Sequence, residues 1–221
     1  MMQFHVKPLI AHADTLAPLM VEAGVNTLLM GLETVSNESL ADQKKRSTHE
    51  DNVKAIEICR RVGIVPYGYF VAGFETDTSD VIRAVFDFIL EKRLVAQVLP
   101  IGITDVGPVG VGTESPLESL DPYSFGATIF VSSQHPQMAT TELQSLLVEG
   151  YDRLFSFSRI PRMRTWKEMQ YLFAYCVAYR KWRPRLLAHM RLLGAREQLT
   201  ATLVDRGPTE SRSGTRVKAH L

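Results

Sequence analysis

The sequence predicts an α/β domain built on a parallel sheet, and three observations carry that prediction. Short apolar, β-branched runs at residues 27–31, 64–73 and 94–101 alternate with amphipathic helical stretches. Helix starts and stops fall between them, with Thr48 and Thr78 or Ser79 as caps and Gly24 and Gly63 as stops. The intervening loops are short, so each helix is a crossover and successive strands must run parallel.

Residues 3–7 are strand-like and lead into Pro8 and a small-residue loop. Asp14 reads as the N-cap of a helix whose apolar residues Leu16, Leu19, Met20 and Ala23 repeat at i, i+3, i+4 and i+7. After the strand at 27–31, Ser36 opens a helical turn through Leu40, and residues 43–47 form a basic loop. The next helix buries Ala55, Ile58, Cys59 and Val62; the one after the 64–73 strand buries Ile82, Val85, Phe86 and Ile89. Beyond Ile101 the pattern changes. Residues 104–116 are rich in Gly, Pro and Val and read as a long loop, and 127–132 as an extra strand or extended segment. Thr140 or Thr141 caps a helix carrying Leu143, Leu146, Leu147 and Leu154. A last helix presents Met169, Leu172, Phe173 and Cys176 and is expected to break at Pro184. The tail has no periodicity and reads as disordered.

Composition excludes several classes. A net charge of +1 over 221 residues is not that of a dedicated nucleic-acid binder. Two cysteines, Cys59 and Cys176, both in helical stretches, are not a disulfide scaffold and point to a reducing compartment. No apolar run approaches the roughly 20 residues that span a bilayer. The N-terminal residues pass into a strand without room for a signal peptide, so a cytoplasmic location is expected.

In parallel α/β folds, ligands bind at the carboxyl ends of the strands. Glu33 ends the 27–31 strand there, where a carboxylate can accept the two hydroxyls of a ribose; the alternative is a solvated loop glutamate or a helix N-terminal charge. Lys44, Lys45 and Arg46 are either a solvated loop or cations poised for a carboxylate or phosphate. Gly68, Gly73 and the turn from Phe74 to Asp77 allow close backbone approach or form a tight strand-to-helix turn, and their spacing is no phosphate-binding fingerprint. The six histidines lack metal-ligand spacing, although His5 could point into a barrel. No nucleophile–base pair is readable from residue order.

The string Gly31-Leu-Glu-Thr-Val-Ser-Asn-Glu-Ser-Leu40, the basic Lys44-Lys45-Arg46-Ser47-Thr48, the helix at 55–63 and Gly68-Tyr-Phe-Val-Ala-Gly-Phe74 with Asp77 resemble the radical S-adenosylmethionine (SAM) superfamily. The similarity is to the subgroup that carries an N-terminal cobalamin-binding domain, and it extends over residues 3–160. It implies a partial parallel (β/α) barrel of about four strand–helix units plus a C-terminal helical extension. The domain expectation is a barrel part at 1–125, a strand and helical extension at 126–200, and a tail at 201–221.

On that resemblance Glu33 binds the SAM ribose, Lys45 approaches the SAM carboxylate, and Gly73 and the loop after Pro100 border the adenosyl group. The superfamily's Cys-x-x-x-Cys-x-x-Cys loop is absent, and the Pro-Gly-Thr turn is altered to Gly107-Pro-Val-Gly-Val-Gly-Thr113. The expectation is therefore the C-terminal part of a radical SAM enzyme, inactive alone. The [4Fe–4S] cluster, and cobalamin if used, would belong to a complete parent protein acting on a small-molecule substrate, with a separate N-terminal half as the alternative source of the cluster loop. The rival expectation is a non-catalytic half-barrel that binds a partner or nucleotide, its open strand edges favouring association.

Overall fold

The computed structural model describes residues 1–100 and 135–205. Four strands, β1 (Met2–Phe4), β2 (Thr27–Glu33), β3 (Val65–Ala72) and β4 (Val95–Pro100), form one sheet in that order, and every neighbouring pair is parallel. Between them lie α1 (Val6–Ala11), α2 (Ala13–Glu22), α3 (Asn37–Asp42), α4 (His49–Arg61) and α5 (Ser79–Glu91). After the undescribed stretch come α6 (Thr140–Leu154), a 3-10 helix (Phe157–Arg162) and α7 (Trp166–Asp205). Spatial order equals sequence order, so right-handed crossovers all wind the same way, as in a partial β/α barrel, rather than reversing as in doubly wound sheets.

The two faces of the sheet have different partners. Phe70, from one face of β3, meets Phe88 of α5 edge-on, with ring centroids 6.1 Å apart. Gly68 belongs to that packing: a Cβ there would come within 2.8 Å of the Phe70 ring and 3.1 Å of Leu32, so its role is close packing rather than ligand approach. On the opposite face, Tyr67 packs against Tyr171 and Tyr175 of α7, and its hydroxyl is hydrogen-bonded to that of Tyr175.

Helices α2, α3, α4 and α5 end alike. The amide after a left-handed residue bonds the carbonyl five residues back: Val25 to Met20, Lys45 to Leu40, Ile64 to Cys59 and Leu94 to Ile89. The left-handed positions are Gly24 and Gly63, but also Lys44 and Arg93, which carry no glycine signal. Helix starts follow side-chain rules. Thr48 and Asp51 form a reciprocal capping box on α4, and Thr165 and Glu168 bond each other's backbone amides at the start of α7.

Four expectations need correction. Residues 6–11 are helical, because Pro8 sits in the first turn of α1, where its missing N–H has no intrahelical partner to lose. Asp14 lies inside α2 rather than capping it, and the buried face is Ala17 and Met20, with Leu19 turned outward. The N-cap of α6 is Ala139, and the Thr141 amide bonds Glu197 of α7 at 3.1 Å, a tertiary cap. Helix α7 continues through Pro184. An interior proline costs about 3 kcal/mol, and burial of Tyr179 before it and Leu186 after it offsets that cost. The loop expected at 104–116, the strand at 127–132, the altered turn at 107–113 and residues 206–221 lie outside the described residues.

Helix α7 is fastened to α6 by Arg183, which donates to both carboxylate oxygens of Asp152 at 2.6 and 2.8 Å, while Tyr179 donates to the same group at 2.8 Å. These bonds, Arg183 foremost, hold the Asp152 pKa below the usual carboxylate range. Arg159 is buried and donates to the carbonyls of Leu154 and Leu94, and burial lowers its pKa to about 10.

Two outcomes test this packing. A Cβ on Gly150 of α6 would fall 2.2 Å from the Phe86 ring, itself buried against Tyr151. Gly150→Ala should therefore lower stability by about 2 kcal/mol in urea unfolding, and an unchanged midpoint would show slack between α5 and α6. Lys7 of α1 pairs with Asp51 of α4 at 2.6 Å and is the first cause of the lowered Asp51 pKa, ordinarily 3.8. A depressed carboxylate pKa stabilises the fold above its unfolded value and loses that contribution as pH falls through the folded value. Lys7→Met should cost at most about 1 kcal/mol near neutral pH, and its deficit should shrink below about pH 4.

Candidate functional site

The carboxyl end of β2 departs from regular geometry. Gly31 pairs with Tyr69 and Glu33 with Phe70, so the ladder skips Leu32. The Thr34 amide bonds back to the Leu32 carbonyl at 2.8 Å, closing a γ-turn centred on Glu33, whose φ is 60°. A glutamate in this left-handed region is strained, and the surrounding structure must hold it there. The second bond on the Leu32 carbonyl comes from Asn52 Nδ2 of α4, also at 2.8 Å.

The turn aims the Glu33 carboxylate into a cleft of about 390 Å³ lined by Gln3, Phe4, His5, Gly31, Glu33 and Lys45. Lys45 Nζ donates to Glu33 Oε1 at 2.7 Å, with the two side chains 39% and 18% exposed. The basic loop yields this single cation to the cleft because the left-handed Lys44 ends α3 and turns the next residue back over the strand end. Gly31 is what leaves room for the carboxylate: a Cβ there would lie 2.5 Å from Glu33 Oε1.

Gly73 and Pro100 lie at the same edge but not in this cleft. Ala72 pairs with Pro100, which puts both strand ends level, one and two strands along from β2. Gly73, with φ of 99°, is buried, and its amide donates to Asp77 Oδ2 at 2.9 Å. Asp77 also accepts from the Phe74 amide at 3.1 Å and the Ser39 hydroxyl at 3.0 Å, so it is the staple of the turn after β3. Burial raises its pKa, an effect these donors oppose. His135, where the described chain resumes, is docked on this turn with Nε2 2.7 Å from the Phe74 carbonyl oxygen. Its Nδ1 accepts from the Gln137 amide, which assigns the proton to Nε2.

Residue type and strand position single out Glu33 and the basic loop, the family resemblance picks Lys45 from that loop, and neither gives weight to Gln3, Phe4 or Asn52. Asn52 did carry a signal: with Ala55, Ile56 and Cys59 it falls on the i, i+3, i+4, i+7 face of α4, a polar residue on an apolar stripe. Gln3 and Phe4 had none, because only the pairing of β1 with β2 brings them to the cleft.

The donors of this chain do not fit a [4Fe–4S] cluster. Three thiolates are needed, and the sequence has two cysteines, both buried, one on α4 and one on α7. Burial pushes the Cys59 thiol up to about 12 and also raises Cys176, so neither favours a thiolate. Among the described residues no three His, Cys, Asp or Glu side chains gather to hold a metal ion, and no helix is long and apolar enough to cross a membrane.

No protein-family model and no curated protein matches this chain. Among solved structures it is similar to the radical SAM methyltransferase TsrM from Kitasatospora setae, determined with cobalamin and a [4Fe–4S] cluster bound. The identity is 20%, the TM-score 0.40, and the match covers 44% of this chain. It spans 19% of the TsrM chain. That is a weak likeness in outline.

Gly31→Ala tests the geometry directly. The new methyl meets only the mobile end of a side chain, so stability should change by less than about 1 kcal/mol. The Glu33–Lys45 pair should open, and acetylation of Lys45 should accelerate to the rate of Lys44. Unaltered labelling at Lys45 would show that the carboxylate keeps its place.

Proposed function

We propose that this chain supplies the ribose side of a SAM-binding site, as the rear part of a radical SAM barrel. The observation that carries the proposal is the strained Glu33 carboxylate, held at the carboxyl edge of β2 in a cleft beside Lys45. A carboxylate accepts two adjacent ribose hydroxyls, and a neighbouring ammonium can leave it for the ligand's own carboxylate. The motif resemblance centred on Gly31 to Phe74 supports the same ligand. The cluster that would activate SAM lies beyond this chain's donors, so this chain carries no bond-breaking step, and a separate N-terminal half would supply the cluster loop.

The test is calorimetric titration of the chain with SAM and with S-adenosylhomocysteine. Both should bind, and Glu33→Gln should weaken both at least about 10-fold, the worth of a charge-assisted hydrogen bond. Lys45→Met should weaken SAM while leaving adenosine binding unchanged. No binding by the wild type, or equal binding by Glu33→Gln, would overturn the reading.

The interaction-module reading rests on one observation: among the described residues β1 pairs on one side only, with β2. An open edge recruits another strand, and gel filtration with a separately expressed N-terminal half would show the complex. Without that half, a stable monomer indifferent to SAM would favour this second reading.

A further inference from the structure

We infer that Asn52 is a positioning residue for Glu33, holding the strained turn that presents the carboxylate; this rests on the proposed ligand role of Glu33. Where the β2 ladder skips Leu32, its carbonyl leaves the sheet's hydrogen-bonding pattern. Two donors take it over, the Thr34 amide from within the turn and Asn52 Nδ2 from α4, each at 2.8 Å. The first closes the turn. The second ties it to a helix, so that Glu33 cannot relax into extended backbone without breaking a buried bond.

Asn52 is costly where it sits. It is 1% exposed, and its Oδ1, like the Nδ1 of nearby His49, is a buried atom without a hydrogen-bond partner among the described residues. A buried unsatisfied acceptor opposes folding, and the neighbours on its helix face, Ala55, Ile56 and Cys59, are apolar and buried. A leucine would suit that stripe better. The asparagine therefore contributes little to stability that an apolar residue would not, and its amide serves the Leu32 carbonyl. Asn52 is itself well anchored, beside the Thr48–Asp51 capping box and the Lys7–Asp51 ion pair.

The experiment compares wild type with Asn52→Leu and Asn52→Asp, two variants so that misfolding of one leaves the other. Amide hydrogen exchange of Thr34 is read in the free protein, S-adenosylhomocysteine affinity by calorimetry, and stability by urea unfolding. Thr34 should exchange at least about 10-fold faster in both variants while the Leu29 amide in mid-strand holds its rate, the loss of one buried hydrogen bond. Affinity should fall by a similar factor, with the midpoint of Asn52→Leu at or above that of wild type; a merely structural residue would lower the midpoint instead. Unchanged Thr34 exchange, or unchanged affinity with Thr34 released, would overturn the inference. If Thr34 is released while even the wild type ignores S-adenosylhomocysteine, Asn52 keeps its positioning role and the adenosyl reading of Glu33 fails.

Discussion

A parallel sheet ends all its strands on one edge, and the backbone groups stranded there must find partners other than the ladder. This protein meets that constraint with side chains. Asn52 takes the Leu32 carbonyl at the end of β2, Asp77 takes the Gly73 and Phe74 amides after β3, and His135 takes the Phe74 carbonyl. Each of these residues is buried, so each bond forms where water cannot substitute. Among the described residues, Glu33 is the charged group aimed into the cleft from a strand end, and it rests on this framework.

The same edge explains the division of labour between the faces of the sheet. Helices wound in one direction cover the face of Gly68 and Phe70, which is apolar and tightly packed. The opposite face receives α7, whose Tyr171 and Tyr175 meet Tyr67 near the start of β3. Tyr171 also reaches the Thr27 hydroxyl at the start of β2. The helix is thus anchored at the amino ends of the strands, away from the cleft at their carboxyl ends. The packing of α7 and the candidate cleft lie at opposite ends of the sheet, the division expected of parallel β/α folds.

Much of the fold was legible in the sequence, because periodicity and capping act locally. The faces of α4 and α5, the caps Ser36 and Thr48, the cap of α5 to within Thr78 or Ser79, and the parallel strand–helix alternation followed from residue spacing alone. The misreadings share a cause. Pro8, Pro184 and the α6 start look like breaks or caps in isolation, and each was decided by where the residue sat in its helix or by a partner far along the chain. Lys44 and Arg93 end helices in a conformation that the sequence signals through glycine elsewhere.

For the site, residue type and strand position singled out Glu33 and the basic loop, since a carboxylate at the carboxyl end of a parallel strand is chemically conspicuous. Which cation of Lys44, Lys45 and Arg46 meets it was decided by the turn that ends α3. Of the cleft's other walls, Gln3 and Phe4 came from strand pairing, while His5 stood out in the sequence as a histidine that could point into a barrel. The strain at Glu33 and its restraint by Asn52 came from a skipped ladder position. Hydrogen-bond register is a property of two chain segments together, so neither segment's sequence records it alone.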